Sequence, residues 1–288
     1  MIKFAKLEAL GNDFILVDGR SDAMLPDPRT LAPLADRRRG IGFDQALLLC
    51  SAVHDSDSDS DSDSHSDSDS DSDSNSNSNS DLMVRIFNSD GSEAEQCGNG
   101  MRAIAAWFDA RGELGAGLRL ETLAGTVSIS AASAGMYAAE LPGARPPEAQ
   151  LARLELPEID APGHLAGLAS VGNPHLVIHW PHPPTAADLA VVAARIGADP
   201  QWCNRVNVGL ASSSDGGSRI VLRVHERGAG PTPACGSGAC AAALLLGRAG
   251  APVQVEQPGG KLVIDWLPDH SRVRTFGPAR LVFHGSTA

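Results

Sequence analysis

The 288-residue chain is short of aromatics, at 4% with a single tyrosine, and short of lysine, with three beside 20 arginines. The arginines are scattered, so no basic stripe exists to follow a phosphate backbone, and nucleic acid is excluded as a partner. Long apolar runs are missing too. The longest, Ala239–Leu246, stops at Gly247, far short of the roughly 18 residues a membrane span needs. The segment from Met1 to Phe14 alternates apolar and polar residues and lacks the continuous apolar core of a secretion signal, which points to a cytoplasmic protein. Five cysteines (Cys50, Cys97, Cys203, Cys235, Cys240) are an odd number in a chain long enough to bury its own core, so a disulfide framework fits poorly. Cys235 and Cys240 make one loose pair and Cys97 stands alone, too few for a zinc site, and no metal is expected.

What is present is ordinary globular material, 42% hydrophobic and 20% charged, with one anomaly. The net charge of −12 owes most to an alternating Ser/Asp tract, Asp55 to Ser80, whose nine aspartates account for all but −3 of it. Such a tract cannot bury apolar surface and repels itself, so it reads as a disordered, solvated insertion in a loop.

The chain also repeats itself, the first thing to seek in a sequence. Cys97-Gly-Asn-Gly and Cys235-Gly-Ser-Gly each open a helix-forming run, and Asn88 and Glu226, each closing a β-like segment, stand nine residues before their cysteine. Upstream, Gly11-Asn12 and Gly172-Asn173 each enter an apolar strand. Asn12 lies 85 residues before Cys97 and Asn173 lies 62 before Cys235; without the 26-residue tract the first interval is 59. Three blocks in one order at one spacing indicate duplication. Strands are expected near 118–121, 126–130 and 220–224, and lesser helices near 28–37 and 186–196, where apolar residues recur at helical spacing. The reading is α+β: two pseudo-symmetric domains of similar fold, each a curved, mostly antiparallel sheet wrapped on a central helix, with a Gly/Pro-bearing seam near 137–147.

A cysteine just before Gly-x-Gly and a helix places its thiol at the positive end of the helix dipole, which favours a thiolate. The N–H groups of Gly98, Asn99, Gly236 and Ser237 have no intrahelical acceptor and can hold a carboxylate. Two such sites related by pseudo-twofold symmetry suit inversion at a carbon α to a carboxylate, where one face needs a base and the other an acid. Cys240 is read as core, and Cys50 and Cys203 as structural.

The segments Asn88 to Gly100 and Glu226 to Cys240, with Gly11-Asn-Asp-Phe14, Gly42-Phe-Asp-Gln45, Gly172-Asn-Pro-His175 and Arg205-Val-Asn-Val208, closely resemble the signature regions of the diaminopimelate epimerase family. The resemblance spans the chain outside the Ser/Asp tract. It implies a pyridoxal-phosphate-independent, cofactor-free epimerase of lysine and cell-wall biosynthesis, with its active site in the cleft between the domains. It further implies Cys97 and Cys235 as the acid/base pair, and Gly98, Asn99, Gly236 and Ser237 as the backbone cradle of the reacting carboxylate. Asn12, Gln45, Asn88, Asn173, Asn207, Glu226 and Arg227 match positions that contact substrate, and His175 and Glu226 match positions that tune the thiols. A distal amino acid on the substrate wants such acceptors for its ammonium and an arginine for its carboxylate. The partner is then a small amino-acid substrate, and the protein a monomer or homodimer.

The sequence departs from the family pattern at Pro231 and Pro233, each of which removes a backbone donor before Cys235, and at His225, read as facing away from Glu226. The first half is assigned 1–140 with a C-terminal strand about 277–288, and the second 141–276. Two other readings stand beside this one. A proline or hydroxyproline racemase would have no use for Arg227, Asn173 and Asn207. A redox- or calcium-responsive binding protein would leave the matched Gly-Asn blocks unexplained.

Overall fold

The computed structural model describes residues 1–20, 26–51, 80–143, 151–152, 166–200, 202–203 and 205–287. The first half forms β1 (Lys3–Ala9), β2 (Asn12–Asp18), a short helix α1 (Leu31–Ala35), β3 (Gln45–Ser51), β4 (Leu82–Asn88), β5 (Glu93–Ala94), α2 (Gly98–Ala110), β6 (Leu118–Thr122), β7 (Gly125–Ser133) and β8 (Met136–Pro142). The second gives β9 (Leu151–Ala152), β10 (Ala166–Ser170), β11 (Pro174–His179), α3 (Ala186–Ala198), β12 (Asn207–Ser214), β13 (Arg219–Glu226), β14 (Gly230–Thr232), α4 (Gly236–Leu246), β15 (Val253–Gln257), β16 (Gly260–Trp266), β17 (Arg272–Pro278) and β18 (Arg280–Ser286).

The halves correspond strand by strand. β1–β2 and β10–β11 are antiparallel, β2–β3 and β11–β12 parallel, β3–β4 and β12–β13 antiparallel, and β4–β6 and β13–β15 parallel. Both then meander antiparallel through two further strands, β7 and β8 or β16 and β17. The equivalent strands β8 and β17 pair antiparallel along their whole length, from Met136 opposite Pro278 to Pro142 opposite Arg272, with Ala139 opposite Thr275 at the centre. Antiparallel pairing of equivalent strands is what a twofold axis generates, so the pseudo-axis passes here and one sheet runs unbroken through both halves. Past the seam the chain changes sides: β9 pairs with β10, and β18 with β1.

Apolar alternation explains which helix lies where. In β2, Phe14 and Leu16 face a core shared with α2 and α4, while Ile15 and Val17 join Leu31 and Ala35 of α1 in a separate outer cluster. The strand is buried on both faces and so reads as a continuous apolar run. In the second half Leu176 and Ile178 of β11 pack on Leu189, Val192 and Ile196 of α3. Helices α2 and α4, apolar almost all round and buried from Met101 to Phe108 and from Gly238 to Ala243, are the inner helices of the common core. Among the described residues no helix is long and apolar enough to cross a membrane.

Several expectations need correction. The helix expected over 28–37 ends at Ala35, because Asp36 turns extended and its carboxylate accepts the N–H groups of Arg38 and Arg39 at 2.7 and 3.0 Å, starting a turn instead. The stretch expected as a seam begins inside strand β8, and residues 144–147 of it lie outside the described residues. Of the Ser/Asp tract, residues 55–79 likewise lie outside. Its last residue belongs to the fold: Ser80 is buried, with its hydroxyl donating to Glu121 at 3.0 Å. Cys203 is exposed rather than packed. Helix α3 extends two residues past Ile196 and starts at a capping box between Thr185 and Asp188.

Candidate active site

Cys97 and Cys235 are the N-caps of α2 and α4. Each sulfur accepts from the backbone N–H three residues on, Gly100 at 3.3 Å and Gly238 at 3.4 Å. The second glycine of each motif is closely packed: a Cβ at Gly100 would lie 3.1 Å from Cδ2 of Leu47 and 3.4 Å from Sγ of Cys97, and one at Gly238 3.0 Å from Cγ2 of Val224 and 3.3 Å from Sγ of Cys235. With the third N–H bound to sulfur, those of Gly98, Asn99, Gly236 and Ser237 remain at the helix starts without intrahelical acceptors. The two starts face each other, since a Cβ on Gly236 would lie 3.6 Å from Oδ1 and 4.0 Å from the backbone nitrogen of Asn99.

The other candidates sit at strand ends on this same edge of the sheet. Asn12 opens β2, Gln45 opens β3 and Asn88 closes β4; Asn207 opens β12 and Glu226 closes β13. Asn99 Nδ2 donates to Asn12 Oδ1 at 2.6 Å, and Gln45 Nε2 to Asn88 Oδ1 at 2.9 Å. In the second half His175 Nε2 lies 3.0 Å from Asn173 Oδ1, 2.9 Å from Ser237 Oγ and 3.5 Å from Asn207 Nδ2. Asn207 also accepts the backbone N–H of Arg227 at 2.8 Å, which holds the turn after Glu226. Arg227 itself is exposed. The structure brings together Asn12 with Asn99, Gln45 with Asn88, and His175 with Asn173, Asn207 and Ser237.

Electrostatics here differ from the sequence expectation. The helix dipole was to favour thiolates, yet burial wins at both sulfurs. Burial pushes the Cys97 thiol up to about 11, with the Gly100 N–H and the Arg102 charge pulling the other way. Burial and the Glu226 charge push Cys235 higher still. Glu226 acts on both thiols, is raised by its own burial, and accepts from Thr232 Oγ1 at 2.5 Å. His175 is fully buried and desolvation lowers it to about 4, so the ring is neutral.

Sequence reasoning assigned no role to Asp44, Thr232, Gln257 or Arg102. Asp44 accepts from Asn12 Nδ2 at 3.4 Å and acts on Glu226 through its charge. Gln257 Oε1 accepts the Cys235 N–H at 2.8 Å. Asp44 and Thr232 carry a signal, lying inside the motif segments; Gln257 lies in none. Pro233 packs against the first half, since a Cβ on Gly11 would meet its ring at 3.3 Å.

Two thiols at the facing starts of pseudo-symmetric helices, Cys235 buried and Cys97 partly so, with one carboxylate acting on both, are equipped to take a proton from one face of a carbon and return one to the other. The family model described as Diaminopimelate epimerase matches residues 4–140 and 167–282. A diaminopimelate epimerase of Halorhodospira halophila is 38% identical over 99% of this chain and 94% of its own length, and one of Ectopseudomonas mendocina 36% identical over 99% and 98%. A probable proline racemase of Agrobacterium radiobacter K84, 13% identical, superposes with a TM-score of 0.67 over 100% of this chain and 93% of that one, a likeness of fold alone. Duplicated fold, paired helix-start thiols and full-length similarity converge: the chain belongs to the diaminopimelate epimerase family.

Proposed function

We propose that the protein is an epimerase that interconverts LL- and meso-diaminopimelate by a two-thiol mechanism needing no cofactor. The observation that carries this is that the two cysteine-capped helix starts face each other, with Gly236 opposite Asn99. A substrate carboxylate held by Gly98, Asn99, Gly236 and Ser237 sets its α-carbon between the sulfurs. One cysteine, as thiolate, takes the α-proton; the other, as thiol, delivers its proton to the opposite face. The C–H bond broken is replaced by one of inverted configuration, and the cysteines end with exchanged protonation. The negative charge that develops on the carboxylate in between is met by N–H dipoles already in place. Glu226 and His175 bias the thiols, while Asn12, Gln45, Asn88, Asn173, Asn207 and Arg227 recognise the distal amino acid.

The test is incubation with LL-diaminopimelate in deuterated water, with L-proline in parallel. Deuterium at the α-carbon together with meso product, from diaminopimelate alone, is the expected result. Exchange with proline alone would move the protein to the racemase reading. Cys97→Ala and Cys235→Ala should each lower epimerisation by at least ~10³-fold; substantial turnover by either variant sinks the two-base assignment.

A further inference from the structure

Among the described residues Arg102 is the largest side chain sealed completely from solvent. It stands five residues after Cys97 on α2, the place that Cys240 holds on α4, so here one half carries a cation where the other carries a thiol. Its side chain runs back toward the helix start. Nη2 donates to Oδ1 of Asn99, and Nη1 donates to Oγ1 of Thr275 at 2.8 Å. Thr275 is the central residue of β17 and donates in turn to the carbonyl of Ala139, its partner across the seam, at 3.3 Å. The guanidinium therefore lies between the start of α2 and the seam where the pseudo-twofold axis passes. Gly277 leaves room for it: a Cβ there would lie 3.2 Å from Nε.

No carboxylate contacts this cation among the described residues. The ionisable groups that act on it are two thiols, Cys97 and Cys240, and its buried Nε has no partner. An unpaired buried charge is strongly unfavourable, and a well-packed apolar side chain of similar volume would serve the fold better. Burial lowers Arg102 to about 10, still high enough for the positive charge to persist at neutral pH.

We propose that Arg102 is a positioning residue for the reaction: its sealed charge supplies a fixed positive potential behind the paired helix starts, and its grip on Asn99 aims one of the N–H groups that meets the substrate carboxylate. The absent counter-ion is then the substrate's own anionic centre, whose charge grows as the α-proton leaves. Because only α2 carries the cation, its pull on the two thiols is unequal, with Cys97 the one it acts on. The lock on Asn99 also reaches Asn12, which accepts from the same amide.

The inference rests on the epimerase reading, so its test has an arm independent of turnover. Wild type, Arg102→Met and Arg102→Lys are compared by circular dichroism and thermal melting, by kcat and KM with LL-diaminopimelate, and by the pH dependence of Cys97 and Cys235 alkylation resolved by mass spectrometry. Arg102→Met should keep the fold and melting temperature yet lose ~100-fold, mostly in kcat. Its Cys97 alkylation midpoint should rise by about one pH unit, with a smaller change at Cys235, and Arg102→Lys should recover part of both effects. A folded Arg102→Met with wild-type kcat and an unmoved Cys97 profile overturns the proposal. Should Arg102→Met not fold, Thr275→Val is read instead. It keeps the charge and frees its anchor, so a severalfold loss in kcat is expected, and unchanged kcat counts against the idea. A wild-type protein that exchanges no diaminopimelate proton refutes the epimerase reading, while the alkylation arm still decides whether Arg102 biases Cys97.

Discussion

The imidazole Nε2 of His175 lies 2.9 Å from the hydroxyl of Ser237, and that same hydroxyl lies 3.6 Å from the sulfur of Cys235. A ring two strands away from the helix start is thereby tied to the second thiol through one intervening oxygen. Because the ring is fully buried and neutral, it orients this hydroxyl without adding charge.

That neutrality has a cost in acid. The folded ring binds its proton only near pH 4, whereas the unfolded one does so near 6.5. Between those values the unfolded chain takes up a proton that the folded chain refuses. This contribution to stability is therefore complete above about pH 6.5 and is lost as pH falls toward about 4, about 3 kcal/mol in all. Urea denaturation from pH 7 to 4 should show a decline that His175→Asn flattens; parallel curves for the two proteins would contradict the assignment.

In the ligand-free protein both thiols should be slow nucleophiles at neutral pH. Only the thiolate reacts, and with Cys97 near 11 its alkylation rate should climb about tenfold per pH unit up to that region. Cys235 should lag behind it. Rapid, pH-independent alkylation of either at pH 7 would mean that a thiolate exists at rest.

Glu226 is the one carboxylate that raises both thiols. Glu226→Gln should speed alkylation of Cys97 and Cys235 while lowering epimerisation by about tenfold or more, so that reactivity and turnover move in opposite directions. Both falling together would indicate that the substitution had disturbed the fold, which a melting curve would show.

Gly238→Ala tests the space behind the second sulfur. The added carbon would lie 3.0 Å from Cγ2 of Val224 and 3.3 Å from Sγ of Cys235. Something must give, and the thiol is the softer side. A shift of the sulfur by a few tenths of an ångström should lower kcat by ~10-fold, with a melting temperature only a few degrees lower. Wild-type kcat would show that the sulfur position is not critical.

Much of this was readable in the residues, for identifiable reasons. Strands such as β6 and β13 and the helices after each cysteine follow from period and from Gly punctuation, which are local properties. The matched blocks foretold which strand ends would carry Asn12 and Asn173, or Asn88 and Glu226, because duplication copies positions. Three things were not readable. Nothing local in β8 or β17 says that they pair with one another. Burial decided the thiols against the helix dipole, and burial is a property of the packed whole. Arg102 stands in the sequence simply as the residue at the place of Cys240, and a sequence does not show that an arginine is sealed from water.

The strands that change sides at the seam have a consequence for how the molecule comes apart. The outermost strand of each half follows directly on the last strand of the other: β18, on β1, follows β17, and β9, on β10, follows β8. The first half is completed only by the last strand of the chain, and β8 and β17 bind the two halves along their whole length, so neither is expected to melt alone. Loss of structure should propagate across the axis as one cooperative event, so calorimetry of this internally duplicated chain should record a single endotherm.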